Sequence, residues 1–116
     1  MEIKNATACF SALSQETRVE IIQLLVKAGP AGVSAGEIAS ALDTAPPTMS
    51  FHLKELTSAG LAISRKQGRS VIYAANYGGL RSLVDFLMAD CCQGDPRLCG
   101  PYIVKEKADE PATRSY

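Results

Sequence analysis

Apolar positions recur with helical spacing along the first ninety residues and break off wherever Gly and Pro intervene. Ile3, Ala6, Phe10 and Leu13 lie on one helical face, and Ser14 follows at a position suited to capping a second helix. That second helix runs through Val19, Ile22, Leu25 and Val26 and stops at Gly29-Pro30. Ser34-Ala35-Gly36-Glu37 has the capping-box arrangement, in which a hydroxyl and a carboxylate satisfy free amides, so a short third helix is predicted from Ala35 to Leu42. Asp43-Thr44-Ala45 is a polar turn. Pro46-Pro47 fits a first helical turn, where a missing N–H costs nothing, and predicts a fourth helix from about Pro46 to Ala59, ending at Gly60.

Beyond Gly60 the period changes. Leu61–Lys66 and Ser70–Ala74 are β-rich runs separated by Gln67-Gly68-Arg69, which reads as a hairpin with a basic tip. Leu80, Leu83, Val84, Leu87 and Met88 then form the apolar stripe of a fifth helix that fades near Cys91. From Gly100 onward no apolar period remains, which predicts a mobile tail. The expected fold is therefore mainly α, a winged helix-turn-helix of five helices and a two-stranded wing.

A chain of 116 residues with 47% apolar content suits one core, and it holds no apolar run of the ~18 residues that a membrane helix needs. The N-terminal residues lack a basic segment followed by an apolar run, so a cytoplasmic location with reduced thiols is expected. Net charge is zero, but its distribution is uneven. Lys54, Arg65, Lys66, Arg69 and Arg81 face only Glu55 in the middle of the chain, while both ends are acidic. A local basic stripe is what phosphate binding requires, although a solvated charged face has the same composition.

In a winged helix-turn-helix the fourth helix enters the major groove. Met49, Leu53 and Leu56 are expected to pack inward, leaving Thr48, Phe51, Lys54, Glu55 and Ser58 outward with Ser50 and His52 on the flanks. The expected DNA contacts are Thr48, Ser50, Phe51, His52 and Lys54 on the helix, and Arg65, Lys66 and Arg69 on the wing. His52 is read as a DNA contact and not as a metal ligand, because the chain has no second His.

The segment Ser50-Phe51-His52-Leu53-Lys54-Glu55-Leu56-Thr57-Ser58-Ala59-Gly60-Leu61 resembles the recognition-helix signature of the ArsR/SmtB repressors. Leu13-Ser14-Gln15-Glu16-Thr17-Arg18 is similar to the motif with which their second helix begins, and Gln67–Tyr73 to their wing. The resemblance covers residues 5 to 90 and departs from the family pattern at Pro46, Pro47 and Phe51. It implies a homodimer formed through the first and last helices, consistent with the apolar faces Ile3/Phe10 and Leu83/Leu87, and a palindromic operator as the DNA partner.

Cys91, Cys92 and Cys99 form the second informative cluster. Adjacent residues on a helix point ~100° apart, so Cys91 and Cys92 converge only where the helix ends, and Gly94 and Pro96 supply that end. Three soft thiolates without a fourth suit pyramidal As(III) or Sb(III), whereas Zn(II) ordinarily takes four ligands. The resemblance points the same way, since some arsenic-responsive members of the family carry a vicinal Cys pair and a third Cys at the end of the last helix. Cys9 reads as a small buried hydrophobe, with a fourth ligand across the dimer as the other possibility.

Residues 1–90 are thus expected to form a DNA-binding and dimerisation domain, and residues 91–116 an inducer site and tail. The expected function is a repressor that needs no cofactor to bind DNA and is released by As(III) or Sb(III). A Zn/Cd or thiol-redox sensor of the same family is the alternative, with a small thiol reductase more remote. An enzyme is disfavoured because the cysteines lie at a helix C-terminus near Asp90 and Asp95, where thiolate is not stabilised.

Overall fold

In the computed structural model, which describes residues 1–89, eight elements follow one another. They are α1 (Ile3–Leu13), α2 (Glu16–Ala28), β1 (Val33–Ser34), α3 (Ala35–Ala41), α4 (Pro46–Ser58), β2 (Ala62–Gln67), β3 (Ser70–Ala75) and α5 (Tyr77–Met88). The chain divides into two units, Met1–Leu83 and Val84–Tyr116, and the packing described here is that of the first. This is the winged helix-turn-helix that the sequence predicts. The expected inducer segment, residues 91–116, lies outside the described residues. Among the described residues no helix is long and apolar enough to cross a membrane.

Local chemistry sets most boundaries. The capping box forms as predicted: Ser34 Oγ accepts from the Glu37 amide at 3.2 Å, and Glu37 Oε1 accepts from the Ser34 amide at 3.3 Å. Pro46 and Pro47 occupy the first turn of α4. The second helix is capped one residue later than expected, because Gln15, not Ser14, presents its side-chain oxygen to the Arg18 amide. Ser14 instead closes α1, its hydroxyl donating to the Ser11 carbonyl at 2.8 Å.

The largest fully buried side chains of the core are Ile21, Leu25, Ile38, Met49, Leu53, Leu56, Leu61 and Cys9, drawn from α1 through α4 and the start of the wing. The inward face of α1 differs from the expected one. Small residues, Ala6, Cys9 and Ala12, are buried, while Ile3 (72% exposed) and Phe10 (43%) face out. A stripe of small side chains lets neighbouring helices approach closely, so residue size overrode the larger apolar periodicity. On α2 likewise, Ile21, Ile22 and Leu25 are buried and Val19 and Val26 are exposed.

The wing is part of a three-stranded sheet of order β1-β3-β2, not an isolated hairpin. The added strand, β1, pairs Val33 with Tyr73 and Ser34 with Ile72, tying the middle of β3 to the start of α3. The β2–β3 register places Gln67 opposite Ser70 around a two-residue loop, Gly68-Arg69, and Gly68 has φ 67°. Between α3 and α4 the turn closes on Asp43, whose φ of 49° is the left-handed conformation that a short polar side chain tolerates.

The chain passes from wing to α5 through Asn76. Its amide nitrogen donates to the Gly60 carbonyl at 2.8 Å, its Oδ1 accepts from the Gly79 N–H at 3.1 Å, and its backbone N–H donates to the Leu61 carbonyl at 3.0 Å. A Cβ on Gly79 would collide with the Gly60 carbonyl and the Asn76 amide, whereas one on Gly78 would make only ordinary contact. Gly79→Ala should therefore destabilise the fold by about 1–3 kcal/mol. Gly78→Ala should be neutral or stabilising by up to about 1 kcal/mol. Urea unfolding of the two variants checks this, and equal midpoints would show that the node at Asn76 is not closely packed.

Candidate nucleic-acid interface

The buried residues of α4 are Met49, His52, Leu53 and Leu56. With ~100° between successive residues, the opposite side is centred on Pro47, Phe51, Lys54 and Ser58. All four are exposed. Ser50 lies on one border of that face and Thr48 on the other, both exposed. Of the expected helix contacts, Thr48, Ser50, Phe51 and Lys54 are thus available to an incoming surface. Phe51, 55% exposed, is close to the centre of the face although it departs from the family pattern.

His52 is not on an open flank. Only 7% of its surface is exposed, and its Nδ1 accepts a hydrogen bond from Arg18 Nε at 3.1 Å. That geometry places the ring proton on Nε2. Burial first, and the Arg18 charge second, hold the imidazole pKa below its ordinary value. The same guanidinium donates through Nη1 to the Ala12 carbonyl at 3.4 Å and lies over the Phe51 ring, 5.5 Å from its centroid. The Phe51 and His52 rings are 6.1 Å apart and tilted by 56°. Arg18 therefore joins the end of α1, the first turn of α2 and α4. Arg18 belongs to the motif with which the second helix begins, but a motif cannot show which side chain 34 residues away it will meet.

On the wing, Arg65, Lys66 and Arg69 are all exposed. Arg65 also donates from Nη2 to the Ala31 carbonyl at 2.9 Å, which holds the outer strand to the loop before β1. Lys66 pairs across the ladder with Val71, and Arg69 is in the loop at the tip. Cys91, Cys92 and Cys99 lie outside the described residues. Cys9 is buried, its Sγ 3.4 Å from the Ala59 carbonyl, and burial raises its pKa, so within this chain it has the environment of a packed thiol.

A helix-turn-helix domain family matches residues 13–65, the segment from the end of α1 to the first half of the wing. The arsenical resistance operon repressor of Escherichia coli is 41% identical over 64 residues, 55% of this chain and 53% of the repressor. A cadmium resistance transcriptional regulatory protein homologue from Staphylococcus aureus is 34% identical over 76 residues, covering 66% of this chain and 61% of that protein. The matched region thus spans roughly half to three-fifths of these curated relatives. Among solved structures, an ArsR-like transcriptional regulator from Rhodococcus sp. RHA1 is 32% identical, with a TM-score of 0.68 over 92% of this chain and 95% of that one. With sequence and fold agreeing over nearly the whole of that regulator, the chain belongs to the ArsR family of winged helix-turn-helix proteins.

Proposed function

We propose that the chain is a homodimeric transcriptional repressor that lays α4 in the major groove of a palindromic operator and sets the wing on flanking phosphates. The observation that carries this reading is the division of α4. One side is locked into the core by Met49, Leu53 and Leu56, and the other presents Thr48, Ser50, Phe51 and Lys54 beside a hairpin bearing Arg65, Lys66 and Arg69. Hydroxyls and a lysine reach phosphates or base edges, and the Phe51 ring suits a thymine methyl. The relatives support it, being named as transcriptional regulators. Ile3 and Phe10 on α1, and Leu87 on α5, are large apolar side chains left exposed as a dimer face requires, while Leu83, expected on that face, is buried and its neighbour Val84 is exposed in its place; burying the exposed ones against a second copy would pair two recognition helices.

Release is assigned to As(III) or Sb(III) bound by Cys91, Cys92 and Cys99, on the chemistry of three clustered thiolates and the likeness to an arsenical resistance repressor. The likeness to a cadmium resistance regulator favours Cd(II) as the second reading.

Two outcomes are expected. Lys66→Ala or Arg69→Ala should weaken binding to all duplexes alike and lower the slope of log affinity against log salt by about 0.9 per lost phosphate contact. An unchanged slope in fluorescence anisotropy would make the basic wing a solvated face only. Cys91→Ser, Cys92→Ser and Cys99→Ser should each still bind DNA yet resist release by As(III) at concentrations that release the parent, while Cys9→Ser responds normally. A tail variant that responds like the parent is not an obligatory ligand, and release by Cd(II) alone would replace the metalloid reading.

A further inference from the structure

His52 and Phe51 are neighbours on α4, so their side chains leave the helix ~100° apart, one toward the core and one toward the open face. Arg18 holds both. Its Nε–H bond to His52 Nδ1 fixes the inner ring, and its cationic plane over Phe51 steadies the outer one. Two contacts from one planar group, made to side chains that diverge around the helix axis, restrict the rotation of α4. Hydrophobic packing beneath the helix is non-directional and sets that angle less sharply.

We propose that Arg18 is the positioning residue of the recognition helix and that proton uptake by His52 breaks its hold, weakening DNA binding in acid. The proposal rests on the DNA-binding reading above. In neutral His52 the Nδ1 lone pair accepts the Arg18 proton. A proton taken from solvent would occupy that lone pair, turn the acceptor into a donor and set two cations face to face. From α2 the charged group facing His52 is Arg18, and α1 brings the uncharged Ala12 carbonyl to the same guanidinium. On α4 itself Phe51 is adjacent, and Glu55 follows one turn later.

The sign follows from the burial and the Arg18 charge, which lower the folded pKa. An unfolded imidazole titrates near ~6.5, so between the folded value and ~6.5 the unfolded chain binds more protons. The stabilisation is complete above that window and is lost as pH falls through it.

The test uses the full chain and a duplex that the parent selects from a randomised pool at pH 7.5. His52→Asn places an amide oxygen close to the position of Nδ1 and gains no proton in this range. As pH is lowered from 7.5 through the midpoint at which the ring shifts of the parent show His52 taking up its proton, the parent's affinity should fall about fivefold or more, and that of His52→Asn by less than about twofold. Arg18→Met, if folded by its NMR spectrum, should bind weakly at both ends of that range with a ratio near one. If it does not fold, His52→Asn decides the matter. The ring ¹⁵N shifts of His52 in the free parent should show Nδ1 unprotonated at pH 7.5. Equal pH ratios for parent and His52→Asn, tighter binding in acid, or a proton on Nδ1 at pH 7.5 would each overturn the proposal. Recovery of no duplex would overturn the DNA-binding reading itself, while the ring shifts would still decide the Arg18–His52 pairing.

Discussion

One guanidinium stands where three helices meet, and the placement of the open face of α4 depends on it. Arg18 leaves the first turn of α2, reaches the Ala12 carbonyl in the last turn of α1, and grips α4 through His52 and Phe51. Arginine suits this place because its charge does not titrate away and its planar fork donates in several fixed directions. The oily residues beneath α4 supply more free energy, each fully buried Leu contributing about 1.5–3 kcal/mol, but they accept many arrangements of similar volume. A directional bond selects among those arrangements.

The other end of α4 is fixed by backbone geometry. Gly60 turns the chain with φ 83°, Leu61 returns its N–H to the Leu56 carbonyl at 3.0 Å, and Asn76 ties Gly60 and Leu61 to the beginning of α5. The strand that leaves this node is β2, which carries Arg65 and Lys66. Helix face and wing are therefore connected through a few hydrogen bonds without a flexible linker, and Arg65 adds a second anchor at Ala31. A surface built this way presents its hydroxyls, ring and cations at fixed separations, as recognition of a regular duplex demands.

What the sequence made legible was local. The Ser34/Glu37 box, the prolines opening α4, Gly60 closing it and the Gly68 turn all act over a few residues, and the structure forms each of them. What it concealed was tertiary. Ile3 and Phe10 have the spacing of a core face, but the small residues Ala6, Cys9 and Ala12 face inward, because the distance between helices is set by both partners. Two-residue β1 is too short to show a period, and the cap at Gln15 in place of Ser14 is a choice between adjacent polar residues. His52 was misplaced for the same reason. On helical period it adjoins the inward residues Met49 and Leu53, and its bond to Arg18, far away in sequence, is a contact that no local pattern shows.

Charge and shape are divided between the two halves of the candidate interface. The wing concentrates Arg65, Lys66 and Arg69, whereas Lys54 is the lone cation along α4, and Glu55 follows it. If the proposed DNA-binding reading holds, long-range attraction and salt-sensitive affinity would belong to the wing, which would draw any duplex equally. With so little charge of its own, α4 would contribute, on the proposed DNA-binding reading, through the fit of Phe51, Ser50 and Thr48 to base edges, and such a fit decays over fractions of an ångström where a phosphate contact decays slowly. Discrimination between sequences would then rest on the half of the surface whose seating is least forgiving, and that half is the one Arg18 holds.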